Sequence, residues 1–318
     1  MFEDFPMCRL FGFRSNVPSR AHHSLVAAEN AVSNQAEHHS DGWGIGYYLD
    51  DEPYLFRATK GAAEDSRFQM LSESLRSSTF LVHVRRATVG DIDSFNSHPF
   101  RFGTWMFAHN GTIFEFDTLK PLIMAEILPE FHNLIFGSTD SERYFYFLLS
   151  HMIRAGISKS GRGHIDIDCA ATAQKEALSK IFQWCQEKGI EAPKANYILT
   201  NGEVMFARRA GLELYLSTQK KTCREVLHCK EVDKFCLHTQ FASLANTRQH
   251  PRRCKHLLVA SEPTGSENIW EEIPDGGLVS LDEQLQLRLH ASPEPFWVTW
   301  PSCVTRHQKR EDVIPSGE

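Results

Sequence analysis

Four short polar clusters hold the side chains with which this chain could do chemistry. Each stands where a strand is expected to end or a helix to begin, the places where a rigid scaffold can aim a side chain at a ligand. The first is Met7-Cys8-Arg9-Leu10-Phe11-Gly12. A cysteine directly after a methionine becomes N-terminal if Met7 is the true start and is clipped. Its α-amine, with a pKa near ~7.7–8.0, can then take the proton of its own thiol, so no separate histidine is needed. The second is His83-Val84-Arg85-Arg86-Ala87-Thr88-Val89-Gly90, which sets guanidinium groups at the end of an apolar run. A guanidinium is a planar fork suited to a carboxylate.

The third cluster is Ala108-His109-Asn110-Gly111. An Asn amide donor beside a glycine N–H that a ligand can approach has the makings of an oxyanion hole. The fourth is Gly137-Ser138-Thr139-Asp140-Ser141-Glu142 at the mouth of an apolar helix. It offers a fixed carboxylate for an ammonium group. Taken singly, each cluster has an ordinary structural reading: a buried cysteine on a strand, a surface ion pair, an Asn-Gly turn, and an N-cap whose acidic residues face the helix dipole. Taken together, and in this order, they supply a nucleophile, a carboxylate fork, an oxyanion hole and an ammonium partner. That set describes a site for an α-amino acid whose side-chain amide is attacked.

The elements that must position these residues are legible as pattern. Short apolar runs predict strands at Arg9–Phe13, Gly44–Leu49, Tyr54–Arg57, Thr79–Arg85, Thr104–Ala108, His256–Ser261 and Gly277–Leu281. Asp50-Asp51-Glu52-Pro53 links the second and third of these. Asn196–Thr200, Asn201-Gly202 and Glu203–Arg208 read as a hairpin about a type I′ turn. Helical spacing marks Arg20–Val32 with Ser19 as N-cap, then Glu64–Arg76, then Asp140–Ala155 capped by Ser138 or Thr139. Ala170–Lys188 is a further helix, stopped by Gly189. Strands in pairs and helices in blocks argue for an α+β fold with antiparallel sheet. Residues 1–7 read as a leader or a misassigned start, 8–290 as one domain and 291–318 as a Pro-rich polar tail.

Composition narrows the function. The chain has 318 residues with 34 Lys+Arg and 40 Asp+Glu, a net charge of −6 that gives no support to nucleic-acid binding. It carries no apolar run of the roughly 18 residues that a membrane helix needs. The start lacks the basic and apolar regions of a signal peptide. Eight cysteines in a chain of this length read as reduced thiols in a cytoplasmic protein. Cys223, His228, Cys229, Cys236 and His238 contain no CxxC pair, so no metal or other cofactor is expected.

The ordered set Met7-Cys8, His39-x-Asp41-Gly42-Trp43-Gly44, His83-x-Arg85-x-Ala87-Thr88-x-Gly90, Asn96-x-His98-Pro99, His109-Asn110-Gly111 and Thr139-Asp140-Ser141-Glu142 resembles the class II glutamine amidotransferases. Within them it is similar to the stand-alone group of YafJ-like proteins and γ-glutamyl hydrolases. Val259-Ala260-Ser261-Glu262-Pro263, with Trp270 and Ile273-Pro274, resembles the late part of that group, so the likeness spans about Met7 to Leu281. Arg86 and Val89 stand where the synthase members usually have Trp and His.

The resemblance implies a four-layer αββα N-terminal-nucleophile hydrolase sandwich of two antiparallel sheets. It also implies Cys8 as nucleophile, forming a γ-glutamyl thioester. Asn110 and Gly111 would stabilise the oxyanion, Arg85 would hold the substrate carboxylate and Asp140 its ammonium group. Thr88 and His98 would line the pocket. Glutamine is the implied substrate, with ammonia passed to a separate partner protein. A γ-glutamyl thiol or peptide, or an inactive fold kept as a binding module, are the alternatives.

Overall fold

Strands whose side chains alternate between two buried faces dominate the chain and assemble into two antiparallel sheets. The computed structural model describes residues 8–20, 22–28, 30–32, 41–85, 93–220 and 256–290. The first sheet contains β1 (Arg9–Ser19), β2 (Trp43–Leu49), β3 (Glu52–Ala58), β4 (Ser77–Val84), β9 (Tyr215–Lys220), β10 (His256–Ala260) and β11 (Asn268–Glu272). Their order across it is β11-β9-β10-β1-β4-β2-β3. The second contains β5 (Phe100–Phe102), β6 (Trp105–Thr112), β7 (Lys194–Thr200), β8 (Met205–Arg208), β12 (Leu278–Leu281) and β13 (Leu287–His290), ordered β13-β12-β8-β7-β6-β5. The α-helices among the described residues are α1 (Ser66–Ser74), α2 (Phe116–Glu126), α3 (Asp140–Arg154) and α4 (Ile167–Lys188).

Three apolar clusters separate four layers. Leu10, Leu81, Met106, Ala108, Ile198 and Val259 fill the space between the sheets. Their strand neighbours point the other way, as a period of two requires. Phe11, Trp43, Ile45, Phe80 and Val82 leave the outer face of the first sheet to meet Leu25 and Phe68 of α1. On the outer face of the second sheet, Trp105, Phe107, Tyr197 and Phe206 pack beneath α2, α3 and α4, against Leu119, Phe145, Leu148 and Ile181. The result is the αββα sandwich that the resemblance implies. None of the helices described is long and apolar enough to cross a membrane.

Several local expectations are corrected by tertiary pairing. Where a helix is expected over Arg20–Val32, the described residues form a π-helical turn, His23–Ala27. Ser19, the expected N-cap, is instead the last residue of β1, where it pairs with Ser77 of β4. Asn110-Gly111 is not a turn: β6 runs straight through it, with Asn110 opposite Asn196 and Gly111 opposite Ala195 on β7. The link between β2 and β3 is tighter than expected, with Asp50 and Asp51 both at positive φ (49° and 62°) and Glu52 already in the strand. The link from β7 to β8 is longer than a two-residue turn. Asn201 Oδ1 accepts from the N–H groups of Glu203 (3.0 Å) and Val204 (2.8 Å), which closes an Asx-type turn. The helices Asp140–Arg154 and Ile167–Lys188 stand where the pattern places them, the first capped by Thr139 and the second ended by Gly189 in the left-handed region.

One close approach links the fold to the functional residues. The His98-Pro99 segment crosses β2 at Gly44, where a Cβ would stand 1.9 Å from the His98 carbonyl oxygen. Gly44→Ala is therefore expected to cost ~1–3 kcal/mol of stability, the usual range for overpacking. Urea unfolding measures this, and a variant as stable as the parent would show that the segment yields at no cost.

Candidate active site

Cys8 directly precedes β1, and the pairing of that strand decides its surroundings. Arg9 lies opposite Val84 and Leu10 opposite His83, so Cys8 arrives at the end of β4 beside Arg85. Alternation puts Cys8, Leu10, His83 and Arg85 on the inner face of the first sheet. Cys8 is half-buried and not in a disulfide. Arg85 is buried, and its backbone N–H donates to Gly42 O at 2.8 Å. Burial pushes the guanidinium below its ordinary pKa, while Cys8, Asp41 and Asp93 act in the opposite sense. A cavity of about 30 Å³ opens here, lined by Cys8, His83, Arg85, Asn96, His98, His109, Gly111, Thr139, Asp140 and Ser141.

The opposite wall is the first turn of α3. Thr139 caps the helix, accepting from Glu142 N at 3.4 Å. Asp140 then sits buried at the positive end of the helix dipole. Its Oδ2 accepts from Ile113 N at 2.8 Å and its Oδ1 from Ser141 N at 2.8 Å. These two bonds orient the carboxylate and leave acceptor capacity for a cation, since a carboxylate takes about four donors. Glu142 turns away from the cavity and receives the N–H groups of Phe136 (3.1 Å) and Gly137 (2.6 Å). Burial raises its pKa despite those bonds. Asn96 locks the same loop from the other side, accepting from Ser138 N at 2.8 Å and donating to Ser138 Oγ at 3.1 Å.

Three imidazoles line the cavity between these walls. His98 lies against His83 with ring centroids 4.2 Å apart and meets Phe100 edge-on at 4.7 Å. Neither ring nitrogen of His98 has a hydrogen-bond partner among the described residues. Burial holds its pKa well below the ordinary value, and His83, His109, Arg85 and Arg57 depress it further. His109 is also lowered by burial, against an opposing pull from Asp140 and the Lys194 carbonyl. The tautomer of His109 follows from its partners. Lys194 O, 3.2 Å from Nε2, can only accept, so Nε2 carries the proton. Nδ1 then accepts from the Ser141 hydroxyl at 2.9 Å, which takes that proton away from Asp140 Oδ1, 3.2 Å from Ser141 Oγ.

Cys8, Arg85, His98, Gly111 and Asp140 thus meet around one cavity. Asn110 stands at its edge and does not line it. Its side chain turns to the inter-sheet face, where Nδ2 donates to Ser261 Oγ at 3.4 Å. Gly111 is required by space: a Cβ there would stand 1.8 Å from Lys194 O, at a φ of +151°. Thr88 lies outside the described residues, as do Cys223, His228, Cys229, Cys236 and His238. No group of three or more His, Cys, Asp or Glu among the described residues is arranged to hold a metal ion.

The sequence reading leaves His83, Asn96, His109, Ser141 and Ser261 without individual roles, and gives Thr139 only that of a helix cap. A period-two argument finds His83, which shares a strand face with Arg85. No local signal finds Ser261, whose partners lie 151 and 251 residues away along the chain.

Over residues 7–297 the chain matches the family described as glutamine amidotransferases class-II. It is 26% identical over 319 residues to the Saccharomyces cerevisiae protein named Probable glutamine amidotransferase DUG3, covering 92% of this chain and 86% of that one. A Mycobacterium tuberculosis protein named gamma-glutamyl-hercynylcysteine sulfoxide hydrolase is 34% identical over 101 residues, 31% of this chain and 38% of that one. Among solved structures, a glutamine aminotransferase class-II domain protein from Silicibacter pomeroyi is similar with a TM-score of 0.59 at 18% identity, over 89% of this chain and 97% of that one. That last likeness speaks to the fold.

The depressed histidines make stability depend on pH in a defined direction. Unfolded, His98 and His109 bind protons below their ordinary value of 6.5, whereas folded they resist protonation. Their contribution is intact above that pH and is lost as the pH falls. The loss is expected to set in below about pH 6.5 and to grow as the pH falls, with His98, the more strongly depressed of the two, contributing most. Urea midpoints measured below that pH should fall, and His98→Gln should flatten the decline. An equal decline in that variant would show that His98 does not titrate on unfolding.

Proposed function

The chain belongs to the class II glutamine amidotransferases, and from that premise we propose that it hydrolyses the side-chain amide of glutamine through a γ-glutamyl thioester on Cys8. The reading is carried by one observation: a thiol, a buried guanidinium and a buried, oriented carboxylate border the same cavity. Arg85 and Asp140 are matched to the carboxylate and ammonium ends of an α-amino acid. That leaves the γ-amide for Cys8. His98 borders the pocket as a neutral imidazole, and Thr88 is assigned to its lining from the sequence alone.

In this reading the Cys8 α-amine takes the thiol proton and the sulfur attacks the amide carbon. The carbonyl electron pair moves to oxygen, where Asn110 Nδ2–H and the Gly111 N–H meet it. Collapse of this intermediate breaks the C–N bond. The protonated α-amine gives its proton to the leaving nitrogen, and ammonia departs. Water then attacks the thioester, its proton returns through the same amine to the sulfur, and glutamate is released.

The amine is available only when the chain begins at Cys8. Residues 1–7 are accordingly a misassigned start or a removed leader, 8–290 the amidotransferase domain and 291–318 a tail. We place the reaction in the cytoplasm, with a separate partner protein receiving the ammonia. A second reading has support in the Mycobacterium tuberculosis relative, whose name specifies a γ-glutamyl substrate other than glutamine. In it Cys8 attacks the γ-glutamyl amide of a thiol compound or peptide, the same thioester forms on Cys8, the C–N bond breaks and an amine other than ammonia leaves.

Cys8→Ala is expected to abolish hydrolysis of every γ-glutamyl amide, and an electrophilic glutamine analogue should modify Cys8. Labelling at Cys169 or Cys185 with Cys8 untouched would sink the assignment. Arg85→Ala and Asp140→Ala should raise KM, because their contacts exist before the transition state. Asn110→Ala should act on kcat instead, by about 10²–10³-fold. Glutamine and γ-glutamyl peptides compared by kcat/KM decide between the two substrates. Intact mass of the active protein should show a chain starting at Cys8. Full activity from a homogeneous chain still starting at Met1 would overturn the α-amine as base.

A further inference from the structure

The segment that follows β10 makes contacts on the nucleophile strand and on the oxyanion donor at once. Ser261 is buried, with 5% of its surface exposed. Its Oγ accepts from Leu10 N at 3.0 Å, and its own N–H donates to Leu10 O at 3.1 Å. Both backbone groups of the residue two places after Cys8 are therefore held by one serine. The same Oγ receives Asn110 Nδ2 at 3.4 Å. The neighbouring Glu262 pairs with Arg9, and Asn30 Nδ2 donates to Pro263 O at 2.9 Å. The segment is thus anchored by the two residues that follow Ser261 as well.

An Asn amide carries two N–H donors. With one given to Ser261, the other is left for a ligand. The Asn110 Oδ1 has no hydrogen-bond partner among the described residues, so no contact on that side fixes which end of the amide points where. Leu10 N–H occupies one lone pair of Ser261 Oγ and Asn110 Nδ2 donates to the other, which keeps the amide nitrogen on this side. A flipped amide would aim an oxygen at a developing oxyanion and repel it.

We propose that Ser261 is a positioning residue: it sets the Asn110 amide with a donor toward the oxyanion and ties that donor to the strand bearing Cys8. The role rests on the assignment of Cys8 and Asn110 above. Ser261 touches no substrate, and its effect passes through Asn110.

The test is a double-variant cycle in the active protein, with L-glutamine and γ-glutamyl-p-nitroanilide as probes. Ser261→Ala should lower kcat about tenfold or more and leave KM within about twofold, as expected for an interaction made only in the transition state. Ser261→Thr, which keeps the hydroxyl, should restore most of the loss. Added to Asn110→Ala, Ser261→Ala should cost nothing further, because residues that act as one unit are not additive. Losses that multiply, an unchanged kcat, or an effect confined to KM would each overturn the proposal. Should Ser261→Ala not fold, Ser261→Cys and Ser261→Thr in the same cycle with Asn110→Ala read the same coupling. Cys8→Ala runs alongside: hydrolysis surviving there would refute the nucleophile assignment itself, a result separate from any coupling between 261 and 110.

Discussion

The central position of β1 governs the rest of the structure. It is hydrogen-bonded to β4 on one side and to β10 on the other. The residue just before it therefore emerges between the end of one partner, where Arg85 stands, and the segment after the other, where Ser261 stands. A strand at the sheet edge would leave Cys8 with neighbours on one side only. Antiparallel pairing also sets the register, so the alternation that buries Leu10 between the sheets places Cys8, His83 and Arg85 on that same inner face.

The second sheet supplies the complementary half. β6 carries Asn110 inward and His109 outward in consecutive positions. Asn110 reaches the inter-sheet side of the site, and His109 reaches the first turn of α3. The helix is not interchangeable with a loop here. Its N-terminus brings backbone donors and a positive dipole to Asp140, which makes burial of a carboxylate tolerable. The Ile113 N–H, from the same stretch of chain as Asn110, completes that arrangement and joins the helix to the sheet.

Burial tunes the remaining groups. Burial disfavours the charged form of both His98 and His109, and for His98 the positive charge of Arg85 and Arg57 adds to it. Neutral rings let the cavity keep a guanidinium, a thiol and a carboxylate close together without a further positive charge. Small residues make the close approaches possible: Gly44 admits the His98-Pro99 backbone and Gly111 admits that of Lys194.

The α+β class, the strongest strands and the helices Asp140–Arg154 and Ile167–Lys188 are written in local pattern, because apolar periodicity, caps and a terminal glycine are properties of neighbouring residues. So are the residue types of Cys8, Arg85, Gly111 and Asp140, which follow from what attack on an amide would require. Other features belong to the folded chain alone. Ser19 ends a strand rather than starting a helix, because Ser77 pairs with it; Asn110-Gly111 extends a strand rather than turning, because β7 lies alongside. The neutrality of His98, the tautomer of His109 and the reach of Ser261 to both Leu10 and Asn110 depend on partners far away in sequence. A hydrogen bond or a desolvation penalty exists only once those partners are in place, and no spacing along the chain encodes it.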